Sequence, residues 1–282
     1  VVGVGAGVVL LWRLEDALRD GDRVHGVLHA AGLSNDLQGS LLAPSSEGQL
    51  RALRRAYAAA GWDPGSVDLV ECHATGTPVG DAEELRSLRE LGSGATAPCV
   101  IGSVKSNVGH LLTGAGAAGL LKVLLALRHG VLPPTANLRE PVVDGEGIRV
   151  LARAEPWRPR SPGLPRGAAG SAFGFGGINA HLLVEEPAPL KEPVPLKGAG
   201  TPGGRDVPET AERQDATPVS SAVPEVPFGK KAQIAIVGMS ARFGPWQSLR
   251  AFQERVRGGG GAVAAAREGR WWGEPSFPGH YV

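Results

Sequence analysis

The sequence predicts an α/β layered domain on a central sheet, and three observations carry that reading. Short apolar runs of strand length alternate with helix-length segments from Val1 to about Glu186. One helical segment, Leu111 to His129, is apolar nearly all round and rich in Gly and Ala, which suits a position between layers rather than on a surface. Loops dense in His, Lys, Ser, Thr and Gly follow the ends of the apolar runs, so polar chemistry gathers beside the sheet.

The elements follow in order. Val8–Leu14 is an apolar strand running into the helix-like RLEDALRDGD, and Val24–Ala30 is a second strand before a Gly/Asn/Asp loop. Glu47–Ala60 places Leu and Ala at helical spacing and stops at Gly61, an amphipathic helix with a glycine end. Val67–Cys72 reads as a strand, Asp81–Leu91 as a helix and Cys99–Val104 as another strand. Between Pro187 and Pro227 lie nine of the 23 prolines, with no hydrophobic period. Such a stretch buries too little apolar area to offset its ordering entropy, so residues 187–230 are expected to form a linker. After it, Ile234–Met239 predicts a strand and SLRAFQERVRGGGG a short helix; from Lys231 the chain is marginal as a domain and reads as the start of one.

Composition excludes several classes. Lys+Arg 29 against Asp+Glu 28, with neither sign blocked along the chain, leaves no footprint for nucleic acid. Two cysteines, Cys72 and Cys99, support neither a disulfide scaffold nor a CxxC zinc site, and reduced cytoplasmic thiols are expected. The apolar stretch 111–127 contains Lys122 and is too short and polar for a membrane span. The chain opens on Val1 and its single methionine is Met239, so it reads as a segment of a longer protein, a processed precursor being the alternative.

Four features could carry chemistry. In ECHATGTPVGD, His73 leaves a buried strand into a loop of small and hydroxylic residues; it is either a core histidine bonded to a carbonyl or a site group. In GSVKSNVGH, Lys105 and His110 stand at a strand-to-helix junction where packing gives long polar side chains no role. In SAFGFGGINAH, Gly174, Gly176 and Gly177 surround Phe175 and allow close backbone approach and a hinge, so Phe175 is a candidate gate; a tight turn between strands is the alternative. Asp81, Glu83 and Glu84 open the next helix, where the first two suit the helix N-terminus. GAGAAG at 114–119 matches a dinucleotide fingerprint, but it lies inside a helix and not directly after a strand, so tight helix packing explains it better.

ECHATGTPVGDAEEL, IGSVKSNVGH and SAFGFGGINAH, in this order, resemble the C-terminal half of a β-ketoacyl synthase, and more narrowly the ketosynthase domains of polyketide and polyunsaturated-fatty-acid synthases. QIAIVGMSARFG resembles the opening strand of another such domain, of the chain-length-factor kind. The resemblance implies a thiolase-like αβαβα fold, here its C-terminal half at residues 1–186, then the 187–230 linker and the start of a second ketosynthase-like domain at 231–282. It implies a homodimer and a decarboxylative Claisen condensation between acyl and malonyl thioesters delivered by acyl carrier protein. No cofactor is bound directly; phosphopantetheine arrives on the carrier. By the same resemblance His73 and His110 donate N–H to the enolate oxygen, Lys105 and its partner Glu84 hold their geometry and field, and Phe175 gates. The family's nucleophilic cysteine stands in a Cys-Ser-Ser turn that this sequence lacks; Cys72 and Cys99 are no replacement, so the segment alone is expected to be inactive. Val4 stands where the family commonly has Glu, and Ala74 where it commonly has Gly. The alternative is a non-catalytic, chain-length-factor-like scaffold that shapes the acyl tunnel. Residues 1–186 by themselves are expected to expose apolar surface.

Overall fold

A computed structural model of the chain describes residues 2–37, 44–95, 97–138, 147–160, 164–174, 176–188, 233–244, 246 and 248–258. In chain order the elements are β1 (Gly5–Arg13), α1 (Leu14–Asp20), β2 (Gly26–Asn35), α2 (Ser46–Ala60), β3 (Leu69–Glu71) and α3 (Pro78–Leu91). Then come β4 (Cys99–Gly102), α4 (Lys105–Val108), α5 (Ala115–His129), β5 (Val131–Leu132), β6 (Ile148–Val150) and β7 (Glu155–Pro156). The hairpin β8 (Gly167–Gly174) and β9 (Ile178–Glu185) precedes the 187–230 linker, which lies outside the described residues apart from its first two, and β10 (Ile234–Phe243) and α6 (Leu249–Gly258) follow.

Eight strands form one mixed sheet in the order β1-β10-β2-β9-β8-β3-β4-β6, while β5 and β7 pair apart. The short strands β3, β4 and β6, at one end of the sheet, are mutually parallel and β3 is parallel to β8; the remaining pairs of this sheet are antiparallel. Side chains alternate across a strand, and here that alternation divides the core. Val70, Ala169 and Leu183 face Leu53, Ala56 and Tyr57 of α2 and Leu88 of α3. Their chain neighbours Leu69, Ala168 and Val184 face Val123, Leu124 and Leu127 of α5. The described residues therefore build three layers, helix–sheet–helix, with α5 covered as its all-apolar surface requires.

Boundaries differ from the sequence reading in ways that local chemistry explains. The segment read as one helix from Leu111 begins instead with a 3-10 turn at Leu112–Gly114, and the α-helix proper starts at Ala115. The helix read from Asp81 starts at Pro78, because proline fits a first helical turn that needs no N–H from it. α2 ends as expected on Gly61, at φ 70°.

The strand after the linker takes a place within the same sheet. The described residues put β10 between β1 and β2, with Ile236 and Phe243 both at 0% exposure. α6 follows it onto the same core, where Phe252 meets Phe243 edge-on with ring centroids 4.8 Å apart. A single strand and one short helix cannot cover their own apolar faces; two open strand edges and the flank of α5 cover them here. Among the described residues nothing covers the outward face of β1 in this way, and Val8, Leu10 and Trp12 stay 60%, 58% and 50% exposed.

The tightest approach between layers is that of β2 to α2. A Cβ on Gly32 would overlap the carbonyl oxygen of Ala52 in the middle of that helix, so only glycine lets the two come together. Gly32→Ala is expected to destabilise the chain by about 1–3 kcal/mol through overpacking. Chemical denaturation measures this, and an unchanged midpoint would show that the helix is free to move off the strand.

Candidate functional site

β3 and β4 run parallel, so their C-terminal ends open on the same edge of the sheet, and both polar loops start there. The first loop carries His73. Its path is fixed by Glu84 on α3, whose two carboxylate oxygens accept the backbone N–H groups of His73 and Ala74, each at 2.7 Å. Asp81, one turn earlier on α3, accepts the Thr75 N–H at 3.1 Å. These carboxylates serve as anchors for the loop, beyond the helix-terminus role read from the sequence for Asp81.

The second loop carries Lys105 and His110. Residues Ser103 to Val108 are all buried, Lys105 to 3% exposure, so the segment is interior structure and not a solvated loop. Ser106 ties it down, its hydroxyl donating to Ser103 O at 2.7 Å and accepting from the Ala136 N–H at 3.1 Å. At its end Leu112 sits at φ 52°, a left-handed conformation that costs a branched side chain energy. The strained turn aims the Leu112 N–H at His110 Nδ1, 2.9 Å away.

The two loops bring the histidines together. The His73 and His110 rings lie edge-on, centroids 5.6 Å apart at 82°, and the Phe173 ring packs tilted against His73 with centroids 5.7 Å apart. Burial pushes His73 down to about 3, with Lys105 and then His110 adding to the shift. His110 is lowered too, by burial and then by Lys105. Both imidazoles are therefore neutral at pH 7. Because His110 Nδ1 accepts the Leu112 N–H, the ring proton of the neutral form belongs on Nε2.

The charged groups around them compensate one another. Burial lowers Lys105, opposed first by Glu71 and second by Glu84. Burial raises Glu84 to about 7 against its two backbone hydrogen bonds and Lys105. Glu71, which the sequence reading passed over, accepts from Lys122 Nζ at 2.6 Å with both side chains buried. The signals were present: an acidic residue inside a buried strand, and a lone lysine in an apolar helix. Phe173 was also missed; it is the aromatic that the described residues place on His73.

The cysteines fit no nucleophilic role. Cys72 is buried with its thiol raised well above the ordinary value by burial and then Glu84, and burial pushes Cys99 to about 12. The candidate gate Phe175 lies outside the described residues. Of its neighbours, Gly174 closes β8 opposite Ile178, and Gly176 and Gly177 turn the hairpin at φ 79° and 75°. Gly177 O accepts the Asp36 N–H at 2.7 Å, which pins the hairpin tip to the chain after β2. Among the described residues no group of three or more His, Cys, Asp or Glu could hold a metal ion, and no helix is long and apolar enough to cross a membrane.

Comparison with known proteins points the same way. Residues 25–139 match the family described as β-ketoacyl synthase, C-terminal domain. One polyunsaturated fatty acid synthase polypeptide of Thraustochytrium sp. is 44% identical over 202 residues, 67% of this chain and 7% of that protein. Another polypeptide of the polyunsaturated fatty acid synthase from the same organism is 37% identical over 269 residues, 95% of this chain and 12% of that protein. The solved PfaC keto synthase-chain length factor superposes with a TM-score of 0.56 at 44% identity, covering 62% of this chain and 19% of that one. The chain thus spans about a tenth of the length of the two synthase polypeptides it matches, and its layered α/β fold is thiolase-like.

The buried ionisable groups give stability a defined pH dependence. His73 and His181, both held at about 3 against an ordinary 6.5, stay neutral in the native state while the unfolded chain takes up their protons. Their contribution is present above 6.5 and is lost as pH falls toward 3. Glu84, raised to about 7 from 4.5, acts with the opposite sign between those two values. Two histidines against one carboxyl leave the unfolded chain binding the larger number of protons below 6.5. Stability is expected to fall on acidification from pH 6.5 by about 1.4 kcal/mol per pH unit for each net proton, most steeply below 4.5. Urea denaturation at pH 7, 5.5 and 4 measures it; a chain that grows more stable toward pH 4 would contradict the buried neutral histidines.

Proposed function

Residues 25–139 belong to the β-ketoacyl synthase C-terminal domain family, and on that premise we propose that this chain supplies the enolate-stabilising half of a decarboxylative condensation site. The observation that carries the reading is the edge-on pair of histidines, with His110 Nδ1 occupied by the Leu112 N–H so that the proton of the neutral ring is left on Nε2. A malonyl-type thioester losing CO₂ breaks the bond between its α-carbon and its carboxylate. The electron pair passes into an enolate whose charge collects on the thioester oxygen. Two N–H donors already oriented toward that oxygen stabilise it as it forms, without reorganisation at the moment of reaction. The enolate carbon then attacks an acyl thioester carbonyl, forming the new C–C bond and expelling a thiolate.

The donors work best uncharged. A protonated imidazole would hand over its proton and quench the enolate as an ordinary thioester, whereas a neutral ring only donates a hydrogen bond. Burial and the nearby Lys105 keep the rings neutral. Lys105 stays within the buried cluster as a positive field near the developing oxyanion, and Glu84 holds the His73 loop. The acyl thioester needs a thiol other than Cys72 or Cys99, both of which burial holds protonated. Acyl and extender groups would arrive as thioesters on the phosphopantetheine of acyl carrier protein, with Phe175 and its glycines gating their entry. The parent enzyme is read as a cytoplasmic homodimer.

We read residues from Lys231 as the opening of a second ketosynthase-like domain of the chain-length-factor kind, a reading supported by the similarity of this chain to the solved PfaC keto synthase-chain length factor. The described part of that stretch, β10 and α6, contributes none of the site residues.

His110→Ala, placed in a complete synthase that carries these residues, is expected to lower malonyl-carrier decarboxylation about 10²–10³-fold while acyl loading onto the synthase proceeds. Carbon dioxide release and intact-protein mass spectrometry read the two steps separately. Decarboxylation at the wild-type rate would remove the enolate role.

A further inference from the structure

Glu71 and Lys122 take no part in the chemistry above, yet their side chains are only 4% and 1% exposed. Burying an ion pair costs about as much in desolvation as the attraction returns, and an apolar pair of similar shape often serves stability as well. Its geometry points to another use. Glu71 Oε2 meets Lys122 Nζ at 2.6 Å, and Oε1 accepts the Val104 N–H at 2.5 Å. Glu71 ends β3, two residues before His73; Val104 directly precedes Lys105; Lys122 lies on α5, the helix that follows His110. One carboxylate, at the end of β3, thus ties the His73 strand to the turn that carries Lys105 and to the helix that follows His110. Its stem is seated against α5, where a Cβ on Gly119 would come within 2.9 Å of Glu71 Cγ.

The charges tell the same story. Lys105 is faced by Glu71, Glu84, the Cys72 thiol and Lys122, and of these Glu71 does most to offset its burial. We propose that Glu71, oriented by Lys122, is the positioning residue of the histidine site: one carboxylate oxygen fixes the turn that carries Lys105 and His110, and the same bond, to the residue directly before Lys105, sets a carboxylate charge beside that segment. Lys122 serves by holding the carboxylate with its other oxygen free for the Val104 N–H. This deepens the reading of the site given above and rests on it for its functional meaning.

The test uses the 282-residue chain with Lys122→Met, Glu71→Gln and the double variant, so that it does not depend on any reaction. In Lys122→Met the unpaired carboxylate is expected to lower the melting temperature and to speed exchange of the Val104 amide about tenfold or more. The double variant, neutral and similar in shape, is expected to recover the melting temperature. In Glu71→Gln and in the double variant alike, the Lys105 ammonium followed by NMR is expected to titrate at lower pH than in the wild type, which a purely structural pair would not cause. An unmoved Lys105 titration in the folded double variant, or unchanged Val104 exchange in Lys122→Met, would overturn the proposal. A site that passes both measurements but sits in a synthase inert toward malonyl thioesters would overturn the condensation reading alone.

Discussion

The structure depends on how closely α5 lies against the sheet. Small residues at 114–119 let the helix come down onto β3, and the Glu71 stem fills the space above Gly119. That approach has two consequences. It covers the apolar side of Leu69, Val100 and Val184, and it brings the amino group of Lys122 within hydrogen-bond reach of a carboxylate deep in the core. The sheet edge from which both histidine loops leave is held rigid by the contact that builds the core.

That rigidity explains an electrostatic arrangement costly to assemble from mobile parts. Two lysines, Lys105 and Lys122, and two carboxyls, Glu71 and Glu84, are buried around two histidines, and the cations and anions offset one another. A buried charge is tolerable only when it is paired or hydrogen-bonded, and each carboxyl here has both oxygens occupied. With the charges balanced, the imidazoles lose water without gaining protons. They remain donors, which is the form that stabilises a negative oxygen as it develops.

Much of this was legible in the sequence, for identifiable reasons. Strand and helix order followed from the switch between strand-length runs and helical spacing. His73 and His110 stood out because polar residues directly followed apolar runs. The dismissal of GAGAAG as a nucleotide loop agrees with its place across the first turn of α5 and the 3-10 turn before it. Other features depend on pairings remote in sequence. Glu71 and Lys122 are 51 residues apart, so their partnership is invisible until β3 and α5 are packed. The resemblance pairs Glu84 with Lys105, and its charge does offset the burial of that lysine, but its hydrogen bonds go to the His73 and Ala74 backbone, a division no local pattern shows. The place of the strand at 234–243 between β1 and β2 is likewise invisible in the sequence, because strand edges are filled according to register and shape, whatever the order along the chain.

The central claim is that His110 presents an Nε2–H donor from a neutral ring. Long-range ¹⁵N–¹H NMR of the imidazole at pH 7 distinguishes the two neutral tautomers and the charged form directly. The account predicts the Nε2–H tautomer for His110, with Nδ1 showing the nitrogen shift of a hydrogen-bond acceptor. A ring protonated at Nδ1, or an imidazolium at that pH, would contradict it.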